Sequence, residues 1–158
     1  MRILVVLGSG GHTKEMIRLV DLMGKRYEYG YLVAADDELS PQKIKVPGPV
    51  YRVVRPRWKH TSLPVVIART LCSAFQALVS LLRLRPRAIV STGPGPAVPA
   101  SLLAKLLGIK VIYIETGSRV FALSSSGRIL YRFADLFFVQ WPELVESYPK
   151  AIYAGRLL

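Results

Sequence analysis

Five apolar residues in a row, Ile3-Leu-Val-Val-Leu7, stand near the start of the chain and give way to Gly8-Ser-Gly-Gly-His-Thr13. A half-exposed strand alternates apolar and polar side chains, so an unbroken branched run reads as a strand buried on both faces. Such a strand needs covering layers above and below. The next segment supplies one: Met16, Leu19, Val20 and Met23 recur at helical spacing over about 13–23, and Gly24 suits its end. The alternation continues. Strands are expected at 29–35, 50–54, 88–91, 110–114 and 136–139, and helices at 64–84, 97–107 and 127–133, with Trp141-Pro142 opening a last short helix. Strand and helix in turn predict an α/β fold, an open and mostly parallel sheet with helices on both faces, Rossmann-like. The 158 residues suit a single domain over 1–158, and no repeat or linker divides them.

Charge is unevenly spread. Residues 39–114 contain no Asp or Glu but twelve Lys and Arg, which is the whole net charge of +12. Such a stretch attracts phosphates or an anionic membrane surface. Nucleic acid would feel the same field, but the cations are interleaved with long apolar runs and no DNA- or RNA-binding motif is present. Within the stretch, Arg55-Pro-Arg-Trp-Lys-His60 leads into helix 64–84. There Arg69, Ser73, Gln76, Ser80 and Arg83 form one polar stripe on an otherwise apolar surface. Cations and a tryptophan beside a wide apolar face suit a membrane interface; a helix buried against the sheet would have the same pattern. The apolar stretch 63–82 carries Arg69 and Gln76, so it is not read as spanning a bilayer.

In a doubly wound sheet, ligands bind at the carboxyl ends of the strands. Three loops fall there. In Gly8-Ser-Gly-Gly-His-Thr13 the glycines permit close backbone approach, and the helix that follows offers its N-terminus to an anion. Thr13 stands where a dinucleotide fingerprint needs glycine, and no Gly-Lys-Ser/Thr marks a P-loop. A tight turn without a ligand also fits. His12 could donate to a phosphate or act as a general base toward a hydroxyl; capping the helix would be its structural use. The loop Thr92-Gly-Pro-Gly-Pro96 is stiff, has free N–H groups, and suits a second phosphate or a rigid connection. Glu115 follows an apolar strand directly, where an idle carboxylate is costly, and Arg119 is close enough to pair with it or to bind phosphate. Asp36-Asp37-Glu38 ends a strand; Asp36 could hold a ribose in a nucleotide-binding oxidoreductase, or the triplet could be a solvated loop. One cysteine, Cys72, and two distant histidines, His12 and His60, imply no disulfide and no metal site.

These loops also carry a family likeness. Gly8-Ser-Gly-Gly-His-Thr-Lys-Glu-Met16, Thr92-Gly-Pro-Gly95, Glu115-Thr-Gly-Ser-Arg-Val120, Leu123-Ser-Ser-Ser-Gly-Arg-Ile-Leu-Tyr131, Ala134-Asp135, Val139-Gln-Trp-Pro142, Tyr148-Pro149 and Tyr153-Ala-Gly155 occur in order. The set resembles the asparagine-linked glycosylation subunit fourteen family and its bacterial polysaccharide-biosynthesis counterparts, and more distantly the N-terminal domain of MurG. The resemblance implies the N-terminal, acceptor-side half of a GT-B glycosyltransferase. A separate subunit thirteen-like partner would bind the UDP-sugar. The pair would add GlcNAc or a related sugar to a polyprenyl-diphosphate-linked sugar, with inversion and with no cofactor or metal.

On this resemblance His12 and Glu115 are the candidate catalytic residues. Gly10, Gly11, Thr13, Gly93, Gly95 and Arg119 are candidates for acceptor or phosphate binding. The chain would be inactive alone. Its segment 153–158 would contact the partner, and it would work at the cytoplasmic face of a membrane. That membrane would be the plasma membrane in a prokaryote, or the endoplasmic reticulum for a eukaryotic chain trimmed of its anchor. Thr116-Gly117 departs from the family's usual serine and small residue after the glutamate. A noncatalytic membrane-recruiting module is the alternative, followed by the oxidoreductase domain.

Overall fold

Strand β1 (Arg2–Val6) is the buried centre around which the other elements assemble. The computed structural model describes residues 1–56 and 62–157, so Arg57, Trp58, Lys59 and His60 of the basic segment lie outside the described residues. After β1 come α1 (Gly11–Met23), β2 (Glu28–Ala34), β3 (Val50–Val53), α2 (Leu63–Leu84), β4 (Ala88–Ser91) and α3 (Ala97–Leu106). Then follow β5 (Lys110–Ile114), α4 (Ser125–Leu130), β6 (Leu136–Val139), α5 (Glu143–Ser147) and β7 (Ile152–Tyr153). The strands form one sheet in the order β3-β2-β1-β4-β5-β6-β7, and every pairing is parallel. The order reverses between β1 and β4, which opens a crevice at their carboxyl ends.

Alternate side chains of each strand serve opposite layers. Val5 and Leu7 meet Met16, Ile17 and Val20 of α1, while Leu4 and Val6 meet Ala77 and Leu81 of α2 and Ala97, Ala100 and Ala104 of α3. The row of alanines and serines lets α2 and α3 lie close to the sheet and to each other. Leu4, Val5, Val6 and Leu7 are fully buried, each contributing about 1.5–3 kcal/mol. Tyr113, Leu130, Phe137 and Leu144 form a third cluster under α4 and α5.

Helix α2 is only partly buried against the sheet. Four of the five residues of its polar stripe point inward, Arg83 being exposed: Ser73 and Ser80 are buried, Gln76 Oε1 accepts the N–H of Val54 at 2.7 Å, and Arg69 Nε donates to the Arg55 carbonyl. Gln76 and Arg69 thereby satisfy the backbone beyond β3. The apolar side therefore faces out, with Leu71 and Phe75 each 67% exposed and Leu63, Val65, Ile67 and Leu82 exposed as well. By length and composition α2 is the one described helix that could cross a membrane, but its inward stripe fastens it to the domain.

Apart from shifts of a single residue, three elements differ from expectation. Helix α1 starts at Gly11, two residues early, because Gly10 at φ +70° turns the chain into it. Helix α4 covers 125–130 instead of 127–133, because the Ser124 side chain accepts the N–H of Gly127 and caps it. Strand β7, only two residues long, has no periodicity to detect.

Asp135 ties three elements together on the α3 side. Its carboxylate accepts the Val111 N–H at 2.8 Å and pairs with Lys105 and Lys110 at 2.9 and 3.2 Å. Burial works to raise its pKa, but these partners outweigh burial and bring it to about 2. A depressed carboxylate stabilises the fold above its unfolded pKa and loses that contribution as pH falls. Asp135→Asn should therefore cost about 1 kcal/mol near neutrality, after allowance for solvent screening. Urea titrations should show the wild-type advantage fading between about pH 4 and pH 2.

Candidate active site

The first two candidate loops meet at the crevice between β1 and β4. A Cβ on Gly8 would lie 2.3 Å from the Pro94 ring, so glycine is what allows the loops after β1 and β4 to touch. Gly10, with positive φ, and Gly11 are exposed at the start of α1, and neither crowds a neighbour. The first N–H groups of α1 are thus open to a ligand. Gly93, at φ +87°, passes so close to Tyr113 that a Cβ would sit 2.6 Å from its hydroxyl; Gly95 is exposed and merely near Pro56.

His12 lies on the first turn of α1, half-buried, with Nδ1 2.9 Å from Thr92 Oγ1. Thr92 belongs to the loop after β4, so one side-chain contact spans the crevice and fixes the ring. Burial lowers the His12 pKa, against smaller upward pulls from Glu15 and the Thr92 hydrogen bond. The imidazole is therefore neutral at physiological pH, with Nε2 left for a ligand.

Thr13 does not face the crevice. It is fully buried, and its hydroxyl bonds the Gly8 carbonyl and lies 2.6 Å from Ser40 Oγ, contacts that close the loop after β1. Glu115 is enclosed as well. Its side chain is 0% exposed. Oε1 accepts the Thr116 N–H and the Tyr113 hydroxyl, and Oε2 accepts both the N–H and the hydroxyl of Ser124. Burial raises its pKa despite these bonds. A carboxylate enclosed this way holds the loop after β5 to the start of α4. Arg119 does not pair with it. Arg119 is exposed, and only its N–H, donating to the Thr116 carbonyl, closes the turn.

No expectation attached to Glu15 or Gln140, and they hold the third loop. Glu15, buried on α1, accepts the Gly117 N–H at 2.7 Å, Gln140 Nε2 at 2.9 Å and the Thr116 hydroxyl at 3.2 Å. Gln140 Nε2 also donates to the Glu115 carbonyl, and its Oε1 accepts the N–H of Leu157. Trp141 donates to the Gly117 carbonyl, and Arg156 lies over its ring. The signal for Glu15 was its place three residues after His12 on an apolar helical face. Elsewhere, Asp36 pairs with Arg55 at 2.9 Å, and Asp37 is buried and accepts from Ser40, so this triplet is neither a plain solvated loop nor an open ribose site.

With this geometry the chain can be set beside known proteins. The family described as "Oligosaccharide biosynthesis protein Alg14 like" matches residues 3–157. The chain belongs to the Alg14 family. It is 38% identical to the human "UDP-N-acetylglucosamine transferase subunit ALG14" over 180 aligned positions, covering all of this chain and 83% of that protein. It is 35% identical to the Schizosaccharomyces pombe protein of that name, covering 97% and 81%. Among solved structures, MurG of Acinetobacter baumannii superposes with TM-score 0.71 at 20% identity, over 98% of this chain and 43% of MurG. A UDP-N-acetylglucosamine 2-epimerase superposes with TM-score 0.76 at 14% identity, over 99% of this chain and 48% of the epimerase. At such identities the likeness is one of fold: this Alg14-family sheet matches somewhat less than half of each larger, Rossmann-like enzyme. Family membership removes the oxidoreductase alternative.

The two predicted catalytic residues should separate by stability. Glu115→Ala leaves the Thr116 and Ser124 N–H groups and the Tyr113 hydroxyl without an acceptor, and should cost about 2–4 kcal/mol in denaturant unfolding. His12→Ala should cost about 1 kcal/mol or less, since it removes one half-buried contact.

Proposed function

We propose that this chain is the acceptor-binding subunit of a two-component inverting glycosyltransferase. It would act on a polyprenyl-diphosphate-linked sugar and receive GlcNAc or a related sugar from a UDP-sugar. A subunit thirteen-like partner would bind the donor. The observation that carries this reading is the crevice at which α1 begins, with His12 held against Thr92 beside exposed Gly10 and Gly11. Membership of a family whose human relative is named a transferase subunit supports it.

The chemistry follows from the residues. The diphosphate lies against the open N–H groups of α1, with the glycine loops 8–11 and 93–95 allowing close approach and exposed Arg119 adding positive charge. With the Nδ1 proton directed at Thr92 Oγ1, Nε2 of neutral His12 takes the proton of the acceptor hydroxyl. That oxygen bonds to the anomeric carbon of the donor sugar from the face opposite UDP, which leaves with the bonding electron pair. Stabilising the departing UDP falls to the partner, and no metal or organic cofactor enters this reading.

Two surfaces suit the remaining parts. An apolar hollow of about 290 Å³ lies beside α1, over β5 and β6, lined by Leu19, Leu22, Ile114, Phe138 and Leu157 of the C-terminal segment. It fits the expected partner contact. The exposed apolar face of α2 fits the surface of a membrane, on the cytoplasmic side where nucleotide sugars meet lipid carriers. A purely recruiting role for the chain would use the same two surfaces without His12.

Transfer from UDP-GlcNAc to a short polyprenyl-diphosphate-GlcNAc should require both proteins. Activity of this chain alone, or none from an associated pair across donors and acceptors, would overturn the proposal. In the complex, His12→Ala should lower kcat at least 100-fold without loss of association. Full activity would favour the recruiting role. The wild-type kcat/KM should rise with pH through a midpoint below 6.5, because burial lowers the His12 pKa, and this limb should vanish in His12→Ala.

A further inference from the structure

At the opposite end of the sheet from the crevice, α2 ends in an open groove of about 570 Å³. Leu82, Pro86, Leu107 and Ile109 give it apolar walls, and Arg85 and Arg87 line it as well. Among the described residues no carboxylate lies within ion-pairing distance of either arginine. Arg85 is also the one described non-glycine residue with positive φ, at +50°. It closes the C-terminus of α2 in the left-handed conformation, where glycine is the favoured residue. A strained backbone that carries a long cation into a groove points to a use for the side chain.

We propose that this groove holds the headgroup of an anionic phospholipid of the bilayer on which the protein works. The proposal rests on the membrane reading of α2. Leu82 belongs both to the groove and to the exposed apolar row that runs through Leu71 and Phe75, so the two surfaces are continuous. At 1.5 Å per residue, the 22 residues of α2 extend about 33 Å. A helix lying flat in the interface therefore carries the acceptor crevice at one end and this groove at the other. Arginine forks match phosphate oxygens, and the leucines beside them suit the glycerol and upper acyl region. A free phosphate would satisfy the arginines and leave Leu82 and Leu107 in water, which is why a lipid is the better occupant. An acidic protein segment would need no apolar continuation toward α2.

The test is co-sedimentation of the full chain with vesicles of phosphatidylcholine alone and of phosphatidylcholine mixed equally with phosphatidylglycerol. Wild type should bind the anionic vesicles more tightly. Arg85→Gly with Arg87→Gln should weaken that binding about tenfold or more and leave binding to neutral vesicles unchanged. Arg85→Gly gives the left-handed position its favoured residue, so the fold is kept and Tm should not fall. Arg18→Gln with Lys150→Gln removes equal charge from elsewhere on the surface and should have a small effect. Equal losses in the two double variants would overturn the groove in favour of diffuse charge. Unchanged binding in the groove variant, with binding lost in Leu71→Gln plus Phe75→Gln, would overturn the groove while sustaining α2 as the membrane contact. Failure of wild type to bind either vesicle would overturn both.

Discussion

Two buried carboxylates, Glu15 and Glu115, set the shape of the loop after β5, and much of the crevice takes its form from that loop. Removing a carboxylate from water is costly unless donors replace the water. Here the donors are backbone N–H groups of Thr116, Gly117 and Ser124 and side chains of Gln140, Thr116, Tyr113 and Ser124; they reach both oxygens of Glu115 and Oε1 of Glu15, while Glu15 Oε2 is buried without a partner. The loop is therefore held from both sides, by α1 through Glu15 and by the start of α4 through Glu115. Even the approach of α4 is governed by this arrangement. A Cβ on Gly127 would lie 2.0 Å from Glu115 Oε2, so only glycine lets the helix come this near.

The framework was legible because it depends on patterns that burial on two faces imposes. The apolar runs at 3–7, 88–91 and 110–114 all became central parallel strands, and the glycine loops after the first two fell on either side of the order reversal. The fine structure of the site was less legible. Glu115 stood out as the first acid after a long basic stretch, and its place just beyond a buried strand correctly signalled a constrained carboxylate. Sequence spacing alone suggested Arg119 as its neighbour, whereas the fold supplied Ser124 and Tyr113. Long-range pairings such as Glu15 with Gln140 leave no local periodicity, because they form only when α1 and β6 are brought over the same edge. The polar stripe of α2 was visible as a pattern, but its direction depends on what the sheet offers, here an unpaired Val54 N–H and a narrow gap that takes serine.

That reversed helix links the two halves of the functional reading. An α2 with leucines inward would bury more apolar surface in the domain and leave an ordinary polar exterior. Instead the inner face mixes Ala77, Leu81 and Leu84 with two serines and a glutamine, and the other leucines are free to meet another apolar phase. The crevice with His12 lies at the carboxyl ends of the strands, close to where α2 begins, so a lipid-linked acceptor could reach it from the same phase. Under the proposed function, the hollow beside Leu157 would take the second protein while the outer face of α2 met the lipid.

The polarity of the all-parallel sheet separates the chain's two ends. Met1 lies at the amino edge of β1, where its carbonyl accepts the Glu28 N–H, while Leu157 at the opposite edge is bonded to Gln140 beneath the crevice. An epitope or fluorophore fused near Leu157 would therefore press on the very knot that shapes the loop after β5. The same fusion before Met1 would sit a full strand length away, at the end that carries Arg85 and Arg87.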